Sequence, residues 1–272
     1  MSAIKNDLYV SVGDISVTSL IAAPRRYQLE KRHDDEIIVD VSDCIFLLLG
    51  SAVHSVLERA DTTNCFAEER MIIKIKGWEI SGTPDLLDTQ KVLSDYKTTN
   101  IYALTMGDKP EWERQLNLYR FMYEAHGFEV LHAQIVAIIK DHSKGRAMTD
   151  QNYPQAPAIV IPITLWPIQE TERYINERVE LHQAAVELPD EELPLCSDEE
   201  RWCRSDWIIA KPESKRATRR YDNEEEAKTA YYTEFDSGDY ELKRRPGKNI
   251  RCQSYCRAAP FCNQWAKIQE EA

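Results

Sequence analysis

The chain has 272 residues, of which 43% are hydrophobic, and its formal net charge is −12. That size accommodates one large domain, or a core with an appendage. No apolar run approaches the roughly 18 residues of a membrane span, the longest being Cys44 to Leu49, and the acidic balance excludes a uniformly basic, phosphate-binding surface.

Met1 to Asp7 is polar and does not read as a signal peptide, so a cytoplasmic location is expected. Ser16 to Lys31 opens with a Ser/Thr cluster and continues as a helix, with Pro24 near its middle. Leu47 to Ala60 reads as a helix whose apolar face is Leu48, Ala52, Val56 and Leu57. Arg70 to Lys76 alternates apolar and charged residues, the period of a half-buried strand. Lys76-Gly77-Trp78 marks a turn, Glu79 to Leu87 reads as the next strand and Gln90 to Thr98 as a third, together an antiparallel meander. Glu111 to Ala125 is a helix with Trp112, Leu116, Tyr119 and Met122 or Tyr123 on one stripe. Ala133 to Lys140 and Ala158 to Leu165 are β-branched strands, and Pro167 to Val186 is a further helix. After Glu187 prolines, charges and cysteines dominate. The expected organisation is an α/β core over residues 1–188 and an irregular, cysteine-containing extension over 189–272.

Two features carry chemistry. Gly82-Thr-Pro-Asp85 and Ser94-Asp95-Tyr96-Lys97 fall on successive strands. Strand residues two apart share a face, so Asp95 and Lys97 point the same way and Asp85 can oppose them across the hairpin. Two converging carboxylates suit a hard divalent cation, Mg²⁺ or Mn²⁺. Such an ion activates water against a phosphodiester, and a neighbouring lysine orients that water or neutralises developing charge. The Tyr96 carbonyl lies between these side chains and is a further candidate ligand. The second feature is the close trio Cys252, Cys256 and Cys262, in a chain with seven cysteines. In a reducing compartment such a group reads as metal ligands more readily than as disulfides. Four thiolates suit tetrahedral zinc or an iron–sulfur cluster. The fourth is sought first in Cys196, then in Cys203; Cys44 and Cys65 read as buried hydrophobes.

Gly50-x-x-x-His54, Gly82-x-x-Asp85, Asp95-x-Lys97 and Gln115-x-x-x-Tyr119 occur in that order on a helix, two strands and a helix. This succession resembles the RecB-like branch of the PD-(D/E)XK nucleases, matched over roughly residues 15–186. The resemblance implies a restriction-endonuclease-like core, a mixed central sheet flanked by helices. It implies His54 as an additional metal ligand, Asp85 and Asp95 as core ligands, Lys97 as catalytic lysine, and Gln115 and Tyr119 as positioning residues. Glu58 and Glu69 are left outside the site. The cysteine trio resembles that of the iron–sulfur nucleases related to AddB and the CRISPR-associated RecB-like exonucleases, in which it ties the C-terminus to the N-terminal region. The upstream cysteine of that pattern falls here on Ala23, so Cys196 takes its place in a 4Fe–4S site, with zinc as the alternative.

The resemblance implies a Mg²⁺- or Mn²⁺-dependent deoxyribonuclease, more an exonuclease or end-processing enzyme than an endonuclease, of a phage or recombination kind. Its partner would be single- or double-stranded DNA with a free end, together with a second copy or a recombination protein. Two other readings stand beside it: a nucleic-acid-binding or assembly subunit with a decayed site, and a zinc-stabilised binding protein. Lys211–Arg220 and Lys243–Arg251 are basic islands in an acidic chain and leave a local basic groove open. His126, His132, His142 and His182 fall in no ligand spacing and are expected at the surface or in local hydrogen bonds.

Overall fold

The computed structural model describes residues 12–38, 44–57, 65–105, 109–214, 216–235 and 238–271. Glu58 and the stretch Met1 to Asp7 lie outside them. The chain forms two compact units, Met1–Ala22 with Ile38–Glu187, and Ala23–Ile37 with Leu188–Ala272. Residues 23–37, read from the sequence as part of the core, are grouped with the extension. No helix of the described residues is long and apolar enough to cross a membrane.

In chain order, β1 (Ile15–Ser16) leads into α1 (Val17–Leu20), and α2 (Pro24–Arg32) follows in the second unit. The one helix expected across Ser16 to Lys31 is therefore two. Pro24 starts the second, where its missing N–H costs nothing, instead of interrupting the first. Next come α3 (Cys44–Leu57), β2 (Phe66–Ala67), β3 (Met71–Ile75), β4 (Trp78–Gly82), β5 (Leu86–Leu87), β6 (Val92–Thr99) and α4 (Ile101–Thr105). They are followed by α5 (Pro110–Ala125), β7 (His132–Ile139), α6 (Lys144–Thr149), β8 (Ala158–Ile163) and α7 (Ile168–Val186).

The first unit is α/β, as expected from the sequence. Its five-stranded sheet runs β2-β5-β6-β7-β8, with β6 and β7 parallel and the other pairs antiparallel. A parallel pair needs a crossover, and α5 supplies it. A separate three-stranded sheet runs β1-β4-β3. The meander expected over residues 70–98 is thus split between two sheets. The strand expected from Glu79 to Leu87 breaks at Thr83-Pro84-Asp85, because Pro84 has no N–H for a ladder. The β3–β4 turn is tight: Lys76 and Gly77 both have positive φ, 47° and 86°, the hairpin geometry that matches strand twist.

The α5 stripe is core, with Leu116, Tyr119, Met122 and Tyr123 all buried. Buried Asn117 bonds the carbonyl of Thr164 through Nδ2 at 3.0 Å and accepts from Trp166 N–H at 2.8 Å, fixing α5 to the end of β8. The stripe expected on α3 behaves differently. Leu48, Ala52 and Val56 are exposed, since α3 runs beside β6 with Gly50 facing Thr98. His182 on α7 is fully buried, unlike the locally bonded His126 and His142. Its Nε2 lies 3.1 and 3.2 Å from the carbonyls of Leu20 and Ala22, where Arg178 also donates. Burial pushes its pKa down to about 4, so it ties off the α1 end as a neutral imidazole.

The second unit is more regular than its composition suggested. After a short 3₁₀ turn (Asp190–Glu192) it contains β9 (Asp206–Ala210), β10 (Arg219–Tyr221), α8 (Glu224–Glu234), β11 (Glu241–Arg245), α9 (Ile250–Ser254) and α10 (Asn263–Glu270). The strands form one antiparallel sheet in the order β10-β9-β11. Asn223 caps α8, accepting from the N–H of Glu225 at 2.7 Å. Gly247, just after β11, lies against the main chain of Arg204. A Cβ there would stand 2.6 Å from the Arg204 carbonyl carbon and oxygen, so only glycine fits.

Candidate metal centres

The oxygen-rich site grows from strand register. Leu86 pairs with Ser94, so Asp85, just before the strand, is brought to the Asp95–Tyr96 stretch of β6. The Tyr96 N–H donates to Asp85 Oδ2 at 2.6 Å, so the main chain between Asp95 and Lys97 holds the first carboxylate. Lys97 Nζ stands 3.0 and 2.8 Å from the two oxygens of Asp95. From α3, His54 Nδ1 reaches within 3.5 Å of Asp85 Oδ1. The sequence-selected residues His54, Asp85, Asp95 and Lys97 therefore come together, with the Tyr96 main chain among them.

Glu68 belongs here as well. Its Oε1 lies 3.5 Å from His54 Nδ1. Among the described residues, His54, Glu68 and Asp85 are the group of three whose donor atoms all fall within 4.8 Å of one another. Ala67 pairs with Leu86, which places Glu68 beside Asp85, and its N–H donates to the Asp85 carbonyl at 3.1 Å. The very short strand β2 brings Glu68 in, and so short an element leaves no periodic signal to find it by. The neighbouring Glu69 is exposed.

Asp85 is pushed up to about 6, first by burial, then by the charge of Asp95; the Tyr96 N–H, His54 and Lys97 pull the other way. Carboxylates crowded together in a dry site resist ionising, and a multivalent cation relieves that strain. Burial also raises the phenol of Tyr123, with Glu69 and Asp85 adding to it.

Gln115 and Tyr119 are both buried on α5 and bond one another, Gln115 Nε2 donating to Tyr119 Oη at 3.2 Å. The Tyr119 ring also explains Gly82. A Cβ at that position would stand 2.8 Å from Tyr119 Cε1 and 2.9 Å from Met122 Sδ, so the chain must be bare where it passes α5 on its way to Asp85.

The sulfur site lies wholly in the second unit. Cys196, Cys252, Cys256 and Cys262 line one small cavity with Arg25, Arg26 and Leu29 of α2 and with Gln264 and Trp265 of α10. Cys203 does not line it. No three of these four thiols gather within 4.8 Å of one another. Burial pushes Cys196 up to about 12 and Cys256 up to about 11, and raises Cys252. Cys196, well upstream of the trio in the chain, is fastened by Gln264, which accepts from its N–H at 2.8 Å and donates to its carbonyl at 2.9 Å. Fully buried Arg25 holds the preceding chain through the carbonyls of Leu193 and Pro194 and the side chain of Asn263. The Arg26 Nε is buried without a hydrogen-bond partner. Cys65, in the first unit, is half-buried; the Cys44 side chain lies outside the described residues.

No family model and no curated protein matches the chain. Several solved structures resemble it at low identity. The structure of SSO0001 is 18% identical with a TM-score of 0.48, covering 67% of this chain and 84% of that one. A phage-related exonuclease from Haemophilus somnus is 16% identical with a TM-score of 0.32, covering 59% and 70%. The alkaline exonuclease LHK-Exo from Laribacter hongkongensis is 16% identical with a TM-score of 0.37, covering 63% and 89%.

Proposed function

We propose that the chain is a divalent-metal-dependent DNA nuclease with a PD-(D/E)XK-type core, acting at DNA ends. The observation that carries this reading is the convergence of His54, Glu68, Asp85, Asp95 and Lys97 from one helix, the ends of two short strands and the middle of β6. Carboxylates and one imidazole form a donor set that suits Mg²⁺ and, with the imidazole, Mn²⁺. When bound, such a cation supplies Lewis acidity to a phosphodiester and lowers the pKa of water. The residues do the rest. Asp85 and Asp95 bring the negative charge, and the Tyr96 N–H fixes Asp85 in place. Lys97, held by Asp95, presents an ammonium to a phosphate and its developing charge. The intact Asp85, Asp95 and Lys97 favour an active enzyme over a binding subunit with a decayed site. Labelled linear DNA, with a closed circular control, tests the reading. Cleavage of the linear form in Mn²⁺ or Mg²⁺, abolished by EDTA, is expected; no cleavage in either metal overturns it.

The second part of the reading is a 4Fe–4S cluster held by Cys196, Cys252, Cys256 and Cys262. Four cysteines around one cavity supply the thiolate set. Buried thiols with raised pKa values need a positive partner to ionise, and the orphaned Arg26 Nε in the same lining suits an anionic occupant. One tetrahedral zinc, with Zn–S of about 2.3 Å, would draw its sulfurs to within about 3.8 Å. Zinc is therefore the alternative occupant, and metal analysis of the purified protein separates the two. Its role would be structural, tying α2 to the C-terminal residues within the second unit.

A further inference from the structure

Two basic stretches remain outside both metal sites. Lys211–Arg220 contains five Lys or Arg and one Glu; Lys243–Arg251 contains five and no acid. In a chain of net charge −12 this concentration is unusual, and the fold makes one structure of it. The stretches supply β10 and β11, the two edges of the sheet centred on β9.

Register sets which cations meet. Arg220 and Lys243 both pair with Ile208, and Arg245 pairs with Asp206. Cross-strand partners and residues two apart share a face, so Arg220, Lys243 and Arg245 stand together, spanning about 10 Å across two strand spacings. The other face carries Arg219 opposite Ile209. Arg219 pairs with Glu234 at the end of α8 and lies over the Phe235 ring, so α8 covers that side. On the first face the side chains of Arg220, Lys243 and Arg245 keep 59%, 41% and 42% of their exposure.

The face is pre-organised. Buried Asp206 accepts from Arg220 Nε at 2.8 Å and from Arg245 Nε at 2.8 Å, and Arg245 Nη2 donates to it too. One carboxylate thus fixes two guanidiniums on rigid strands, and each keeps further N–H donors from its set of five. Glu241 pairs with Lys243.

We propose that this face of the second unit binds the phosphate backbone of a nucleic-acid strand. Guanidinium forks match phosphate oxygens in planar, two-pronged fashion, and fixed forks lose little entropy in doing so. The choice of nucleic acid among polyanions rests on the nuclease reading. Contacts to the phosphate backbone carry no sequence information, so the grip is expected to be independent of sequence.

The test is fluorescence anisotropy of the full chain with a labelled single-stranded oligonucleotide and its duplex, in EDTA, across a salt series. In the wild type, log affinity should fall linearly with log salt. The double variant Arg220→Gln/Lys243→Gln should bind at least about tenfold more weakly. Its slope on single strands should be shallower by about 1.4, two contacts at about 0.7 each. Lys243→Gln alone, which leaves Asp206 both its arginines, should give half of that slope change. Glu241→Gln, which releases Lys243, should bind more tightly. Wild-type affinity and slope in variants that melt like the wild type would overturn the proposal and leave the cations as guards against edge-to-edge strand pairing. A wild type that does not bind nucleic acid, or that uses these residues only for poly-glutamate, overturns it as well. Cleavage is scored separately, in Mn²⁺. A chain that binds through this face and cuts nothing would sink the nuclease reading and keep this one. A chain that cuts while the variants bind unchanged would do the reverse.

Discussion

The oxygen site of the first unit and the sulfur site of the second are built on opposite plans. In the first, the charged residues Asp85, Asp95 and Lys97 sit close in sequence, and adjoining strands bring them together. In the second, Cys196 meets a trio that begins only at Cys252, around a cavity also walled by α2. In the first, hydrogen bonds between adjoining strands already hold Asp85 beside the Asp95–Lys97 strand. The second draws on segments far apart in the sequence, so the metal centre proposed there would contribute to folding itself. Removing a ligand should therefore cost function at the first site and stability at the second.

The largest expected effect tests the first half of that contrast. Asp95→Ala or Lys97→Ala should lower the DNA cleavage rate by about a hundredfold or more, since on the proposed reading Asp95 would hold the cation and Lys97 would face the phosphate. The melting temperature should stay near the wild-type value. Equal loss of rate and of folded protein would erase the distinction.

Cys252→Ser, Cys256→Ser and Cys262→Ser test the other half. Anaerobically purified wild type should hold about four irons per chain and be brown. Each variant should bleach and melt earlier, with activity following stability. Cys196→Ser should behave like the trio, while Cys203→Ser should keep its iron. Stoichiometric zinc in a colourless wild type would replace the cluster with a zinc site.

Glu68→Gln sharpens the comparison within the first site. It should weaken Mn²⁺ dependence of cleavage about tenfold, as loss of one donor does, with no change in melting. His54→Ala should shift preference from Mn²⁺ toward Mg²⁺, because imidazole favours the softer ion. An unchanged metal titration in both would confine the site to Asp85 and Asp95.

Gly82→Ala separates packing from chemistry. Its methyl group would press on Tyr119 and Met122, so a stability loss of about 1–3 kcal/mol is expected in denaturant melts. The smallest effect lies in the second unit. His33 sits 2.7 Å from both Asp190 and Glu36, and its hydrogen bond to Asp190, then that to Glu36, raises its pKa above 6.5. A raised histidine stabilises the fold below 6.5, and that contribution is lost as pH rises through the folded pKa. His33→Gln should flatten the melting profile over that interval. A steeper profile in the variant would reverse the assignment.

Periodicity made much of the fold legible. The buried stripe of α5, the strands β6 and β7, the helix α7 and the shared face of Asp95 and Lys97 all follow from spacing, because helix and strand each return a side chain to the same face at a fixed short interval. It also misled at α3, where Leu48, Ala52 and Val56 form an apolar stripe that the fold turns outward. An apolar stripe says that a helix has two faces, and not which of them the sheet takes.

By itself, then, the sequence determined the α/β class of the first unit, the carboxylate–lysine face and the cysteine trio, each written in residues a few positions apart. Only tertiary structure decided the rest. It split the expected meander at Pro84 and brought Glu68 beside Asp85 through the short strand β2. It gathered residues 23–37 with the extension and set Cys196 at the cavity. It also made one face of two basic islands that are well separated along the chain. Local spacing fixes what lies on one element. Pairings between distant elements depend on which surfaces can be buried together, and no short stretch of sequence records that.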